Sequence, residues 1–171
     1  MLLIVGASGS GKTTIADKLS KMYGLKVLPS YTTRPKRNNQ ETGHTFVSKK
    51  EFDELTDKVT YLKRYDAEYC ATANQIDNYD LYIINPEAAI ELQKKYKGDK
   101  KIEVLYIEAS VETRYRNMIR RGDTCRGAIQ RIIKDITPYS NCKGYADYIV
   151  ENELDTDLDI LCKIIYMDIF G

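Results

Sequence analysis

Apolar positions in this chain alternate between short unbroken runs and helical spacing. Leu2-Leu3-Ile4-Val5 is continuous, the pattern of a strand buried on both faces. A glycine-rich turn from Gly6 to Gly11 leads into residues 12–23, where Ile15, Ala16, Leu19, Met22 and Tyr23 share one helical face and Gly24 marks the stop. Residues 25–28 predict a second strand closed by Pro29. Residues 30–43 are polar, basic and turn-rich, too long for a plain connection. Ser48 and Glu51 form a capping box that opens a short helix holding Phe52 and Leu55. Residues 59–65 and 68–72 predict short strands, and 81–84 another buried one. Asn85 then caps a helix with Pro86 at its first position, running to Tyr96. Residues 102–107 predict a further strand, and Ser110 caps a helix with Val111, Tyr115, Met118 and Ile119 that ends at Gly122. The next helix carries Ile129, Ile132, Ile133 and Ile136. Residues 148–150 predict the last strand, and Leu158, Leu161, Ile164 and Ile165 the apolar face of a final helix. Strands alternating with helices predict an α/β fold with a mainly parallel sheet.

Composition narrows the picture. The chain has 171 residues, suited to one domain with small insertions. Its 26 Lys and Arg against 25 Asp and Glu leave a net charge of +1, which argues against gripping nucleic acid by bulk charge. Cys70, Cys125, Cys142 and Cys162 contain no CxxC pair, and His44 is the only histidine, so neither a zinc site nor a disulfide framework is expected. Reduced thiols and the lack of a leader or long apolar run predict a cytoplasmic protein with no membrane partner.

Two segments carry chemistry. Gly6-Ala7-Ser8-Gly9-Ser10-Gly11-Lys12-Thr13 fits GxxxxGK[ST] without deviation, between a buried strand and an amphipathic helix. Glycines at these positions let successive backbone N–H groups face a phosphate, and the helix adds its positive N-terminal end. Lys12 reaches the β- and γ-phosphates of a nucleotide, and the Thr13 hydroxyl is placed to ligate Mg²⁺. GTPases, motor ATPases and metabolite kinases all use such a loop, and the modest length favours a small kinase with ATP and Mg²⁺. The second segment, Ser30-Tyr31-Thr32-Thr33-Arg34-Pro35-Lys36-Arg37, sets two guanidiniums beside hydroxyls. Arginine forks match phosphate oxygens bidentately, so the segment is either a phosphate clamp or a solvated basic loop.

This segment, followed by Gly43, Phe46-Val47-Ser48 and Glu51-Phe52, resembles the guanylate kinase signature. Tyr69-Cys70-Ala71-Thr72 resembles that family's tyrosine-glycine-threonine turn, Arg120-Arg121-Gly122-Asp123-Thr124 the start of its lid, and residues 146–152 its late strand. The resemblance implies a P-loop three-layer α/β fold with a small acceptor-binding insertion and a helical lid. It implies a core at 1–30 and 78–171, a lid at about 120–138, and an acceptor subdomain at 31–77. The implied activity is ATP-dependent phosphoryl transfer to a nucleoside monophosphate, with GMP first. Lys12, Arg34, Arg121 and Arg131 are the implied catalytic residues. Ala7, Ser8, Gly9, Ser10, Gly11, Lys12, Thr13, Thr14 and Asn152 are the implied donor contacts, with Thr13 for the metal. Ser30, Arg34, Arg37, His44, Tyr61, Thr72 and Asn85 are the implied acceptor contacts.

The chain also departs from the pattern. The tyrosine before the FVS triplet is missing, and His44 stands nearest to it; it is either a phosphate contact or a loop histidine. The glutamate that reads guanine falls on Tyr61, and the strand-end aspartates fall on Ile83-Ile84-Asn85. A carboxylate accepts from both guanine N1–H and the amine, whereas asparagine has one oxygen to offer. Asp66 or Glu68 could supply a displaced carboxylate. Two alternatives therefore stand beside GMP: a phosphorylated sugar such as ribose 1,5-bisphosphate as acceptor, or a non-catalytic binding module.

Overall fold

The apolar run at the N-terminus forms β1 (Leu2–Gly6), every residue of it buried. In the computed structural model, which describes residues 1–36, 39, 41–64 and 66–171, β1 sits inside a four-stranded parallel sheet. Its neighbours are β6 (Leu81–Ile83) and β7 (Glu103–Glu108), with β8 (Tyr148–Glu151) beyond β7. Successive side chains of a strand point to opposite faces, and the core divides accordingly. Leu2, Ile4, Leu105 and Ile107 pack against Ile15, Ala16 and Leu19 of α1 (Lys12–Tyr23) and Cys162 and Ile165 of α7 (Leu158–Ile169). Leu3, Val5, Tyr82, Val104 and Tyr106 pack on the other face against Ala88, Ala89 and Leu92 of α4 (Pro86–Lys95). The result is a three-layer α/β architecture with a parallel sheet.

A second four-stranded sheet runs β2 (Ser30–Thr32), β3 (His44–Phe46), β4 (Lys58–Arg64) and β5 (Ala67–Thr72) in the order β3-β2-β5-β4. Its β2–β5 and β4–β5 pairs are antiparallel and its β2–β3 pair parallel. Val59 and Ala71 join the core on the α4 side. The sheet is followed by α3 (Ala73–Asn78), and α2 (Lys49–Glu54) lies between β3 and β4. Beyond β7 come α5 (Val111–Arg120) and α6 (Cys125–Tyr139).

Two expectations need correction. Residues 25–28 make a single parallel bridge, Val27 to Leu81, instead of a strand; Pro29, which has no N–H, interrupts the chain before β2. The polar segment after Pro29 holds β2 at its start, and α3 went unpredicted although Thr72 and Gln75 form a full capping box. On α6, Ile129, Ile133 and Ile136 are exposed and Ala128 is the buried residue. Among the described residues no helix is long and apolar enough to cross a membrane.

Leu105, wholly buried between β1 and β8, reports the integrity of this core. Leu105→Ala should lower the unfolding free energy by about 3 kcal/mol and the melting temperature by roughly 6–12 °C, read by calorimetry.

Candidate active site

Residues 6–13 turn from β1 into α1 by using left-handed backbone at two glycines, Gly9 (φ 81°) and Gly11 (φ 93°). A Cβ on Gly9 would run into the Arg114 carbonyl, and one on Gly11 into the Asn152 amide. Conformation and close approach both require glycine here.

Side chains from distant elements hold the loop's carbonyls. Arg114 Nε donates to Ser8 O at 3.0 Å, Asn117 Nδ2 to Gly9 O at 2.9 Å, and Asn152 Nδ2 to Ser10 O at 2.9 Å. Lys12 Nζ donates to Gly6 O at 2.6 Å and Ala7 O at 3.0 Å. Arg114 and Asn117 were missed from the sequence; their spacing of three on α5 puts them on one face, the only local signal available. Asn152, expected among the donor contacts, is buried and tied to Ser10.

Gly9, Gly11, Lys12, Thr13, Thr14, Arg121 and Asn152 line a cavity of about 560 Å³. Burial lowers the Lys12 ammonium to about 8, reinforced by the Arg121 and Arg114 charges and opposed by Asp135. The Ser10 hydroxyl is buried without a hydrogen-bond partner. An ammonium resting on its own loop's carbonyls, an orphaned hydroxyl and a helix N-terminus together suit a polyphosphate. For Mg²⁺ the chain offers the exposed Thr13 hydroxyl; among the described residues no cluster of His, Cys, Asp or Glu is placed to hold a metal ion. The metal would therefore be held by Thr13, phosphate oxygens and water.

A second cavity, about 740 Å³, is lined by Ser8, Arg34, Asp66, Tyr69, Arg131 and Asp135, among others. Arg34 is held by Glu41 through two bonds, 2.7 and 3.1 Å, and lies 5.3 Å from the Phe46 ring centroid. Bonding to Glu41 raises the Arg34 pKa further, which keeps the guanidinium charged. Arg121 Nε donates to Asp123 at 2.6 Å, and Arg131 Nε lies 4.0 Å from the other oxygen of that carboxylate. One carboxylate thus links an arginine of each cavity. Arg37 lies outside the described residues.

Tyr69 also borders a third, small cavity of about 130 Å³ with Ser30, His44, Thr60, Tyr82 and Asn85. His44 Nδ1 is 2.9 Å from Ser30 Oγ, and its ring meets those of Phe46 and Tyr69 edge-on. Burial pushes the Tyr82 phenol up to about 12, against its hydrogen bonds with Thr60 and Ser30, so it stays neutral. Asn85 Oδ1 accepts the Ala88 N–H at 2.7 Å as the cap of α4, which leaves its amide N–H groups to face a ligand. No carboxylate borders this cavity among the described residues. Tyr61 and Thr72 do not join it. Tyr61 alternates with Thr60 and Leu62 along β4, is largely exposed, and donates its hydroxyl to Glu68 at 2.8 Å, which Lys49 also holds at 2.6 Å. The Thr72 hydroxyl is occupied in capping α3. Neither Asp66 nor Glu68 reaches the small cavity, although Asp66 borders the second one.

The Lys12 shift has a measurable consequence. Its charged form is the one that pairs with phosphate, and phosphate raises its pKa on binding. Affinity for ATP, whose phosphates are all ionised above neutral pH, should therefore change little up to about pH 8 and fall toward tenfold per unit above it, with proton uptake in calorimetry at about pH 8.5–9.5. A flat profile to pH 9.5 would contradict the lowered Lys12 pKa.

Comparison with known proteins bears on the family and the fold. The family model described as guanylate kinase matches residues 1–167. The guanylate kinase of Bartonella henselae is 27% identical, covering 98% of this chain and 80% of that protein. The guanylate kinase of Neisseria gonorrhoeae is also 27% identical, covering 90% and 80%. The crystal structure of guanylate kinase from Anaplasma phagocytophilum superposes with a TM-score of 0.63 at 21% identity, covering 98% of this chain and 82% of that one. An uncharacterised protein from Eubacterium ventriosum has a TM-score of 0.52 at 16% identity, covering 99% and 97%. The two structures bear on the fold, which is the P-loop fold. With its family model spanning nearly the whole length, the chain belongs to the guanylate kinase family.

Proposed function

We propose that this protein moves the γ-phosphoryl group of ATP to a phosphate oxygen of a nucleoside monophosphate, with GMP as the first acceptor to consider. The observation that supports it most is a shared wall: Ser8 of the phosphate loop and Arg34 and Arg131 border one cavity. A donor phosphate on the loop and an acceptor phosphate on Arg34 would meet there. The core would comprise 1–30 and 78–171, and residues 31–77 the acceptor side.

In this reading the loop amides, Lys12 and the Ser10 and Thr13 hydroxyls bind the donor's phosphates. Mg²⁺, held through Thr13, would neutralise the oxygens of the transferring group when bound. Arg34, with Arg37 on sequence grounds, binds the acceptor's phosphate beside Ser30 and His44. Arg121 and Arg131, already linked through Asp123, would exchange that carboxylate for the charge that builds at the transition state. An acceptor phosphate is already anionic, so no general base is needed, and the work is alignment and charge neutralisation. A lid at about 120–138 would exclude water.

The carboxylate-free small cavity favours a second reading of the acceptor. With Asn85 Oδ1 capping α4, guanine's N1–H and amine would find neutral side-chain acceptors, the hydroxyls of Ser30, Thr60 and Tyr82 and the His44 ring, in place of a carboxylate. Another nucleoside monophosphate or a phosphorylated sugar would lose less there.

A coupled ADP-release assay with GMP, dGMP, AMP, UMP, CMP and ribose 1,5-bisphosphate separates the readings. Nucleotide turnover led by GMP is the expected result, and preference for the sugar bisphosphate would establish the second reading. Turnover with none of them, together with no ATP binding, would leave a binding module. Lys12→Met should lower kcat at least about a hundredfold. Arg34→Met should raise the acceptor KM roughly tenfold or more with little change in the KM for ATP.

A further inference from the structure

The phosphate loop already holds an anion, and it is the protein's own. Asp135 of α6 accepts the Ser8 N–H through Oδ2 at 2.6 Å, and the same oxygen lies 3.1 Å from a terminal nitrogen of Arg114. Arg114 completes the ring by donating Nε to Ser8 O at 3.0 Å. The Ser8 residue is thus gripped at both its amide and its carbonyl by one ion pair whose side chains are only 11% and 15% exposed. Asp135 lies well inside its helix, so it caps nothing there. Its charge is also felt by Lys12.

A carboxylate oxygen that takes one backbone N–H of a phosphate loop and one guanidinium N–H has the contacts a phosphate oxygen would take. Asp135 borders the cavity where the donor and acceptor phosphates are proposed to meet, beside Arg34 and Arg131. Two anionic oxygens cannot share that position. When a phosphate arrives, the carboxylate has to leave, and its departure leaves Arg114 facing the newcomer. The exchange keeps the partly buried guanidinium compensated throughout, which a site with no internal anion would not do.

We propose that Asp135 is an internal anion occupying a phosphate-oxygen position at the Ser8 amide, and that Arg114 is a further phosphate-binding residue which nucleotide recruits by displacing it. The inference rests on the loop's binding a nucleotide phosphate, as in the reading above, and not on the identity of the acceptor. It also gives α6 two states, latched to the loop by Asp135 and released from it by nucleotide. Observed nucleotide affinity is then the intrinsic affinity reduced by the unlatched fraction.

The test measures ATP and pyrophosphate binding to the full chain by titration calorimetry, with melting of the ligand-free protein alongside. Asp135→Asn keeps the shape and removes the charge. Both ligands should bind roughly tenfold more tightly, while the ligand-free variant melts lower because Arg114 has lost its counter-charge. Arg114→Met added to Asp135→Asn should return affinity to the parent value or below, and Arg114→Lys should retain part of the gain. Asp135→Ser, smaller and also neutral, serves if the asparagine variant does not fold. Removing a nearby negative charge favours a polyanion by itself, but that gain would survive Arg114→Met; a folded neutral variant that binds as the parent does or more weakly, or a gain that Arg114→Met leaves intact, overturns the proposal. Tighter ATP binding without turnover of any acceptor upholds it and overturns the kinase reading. A folded parent and folded variants that all ignore ATP and pyrophosphate overturn both.

Discussion

The site depends on how its phosphate loop is held by the carbonyl side. A loop that aims its N–H groups at an anion must find partners for the oxygens that turn away, or carry unpaired polar groups in a partly buried place. Arg114, Asn117 and Asn152 supply those partners to Ser8, Gly9 and Ser10 in succession. Two of the three come from α5 and the third follows β8, so the loop's shape is a property of the packed core as much as of its own glycines. The parallel sheet matters because it places the ends of β1, β7 and β8 side by side. That adjacency lets Asn152, far along the chain, reach the Ser10 carbonyl, two residues before Lys12.

Much of the framework was legible because its signals are local. β1, the loop and α1 are contiguous, and a strand, two left-handed glycines and a helix announce one another within 23 residues. The caps at Ser48, Asn85 and Ser110 opened helices as read. The short strands β2 and β3 were not legible, since Ser30-Tyr31-Thr32 and His44-Thr45-Phe46 are too short for a period and, unlike β6, lack an unbroken apolar run. The loop's clamps were hidden for another reason: they lie 106, 108 and 142 residues from the carbonyls they hold. No window along the chain contains both partners.

The acceptor side shows how one atom can decide what a motif means. Asn85 was readable twice, as a helix cap and as the residue standing where a carboxylate was expected. The structure joins the two readings. The oxygen that could have accepted from a base is committed to Ala88. Tyr61 has a similar lesson, because strand alternation sends it away from the cavity that Thr60 and Leu62 border. Position along a motif identifies a residue, while pairing and alternation decide which of its atoms a ligand can meet.

Lys12 makes the phosphate loop chemically conspicuous. Ion pairing shifts Lys18, Lys49, Lys101 and Lys143 upward, which keeps their amines protonated and unreactive in mildly alkaline solution. Lys12 moves the other way, so a large share of it is a free amine near pH 8. A neutral amine on a cavity wall is a nucleophile. With the Met1 α-amine, which burial also lowers, the lysine that distinguishes the phosphate loop is therefore one of two amines that an acylating reagent would favour over the ion-paired lysines.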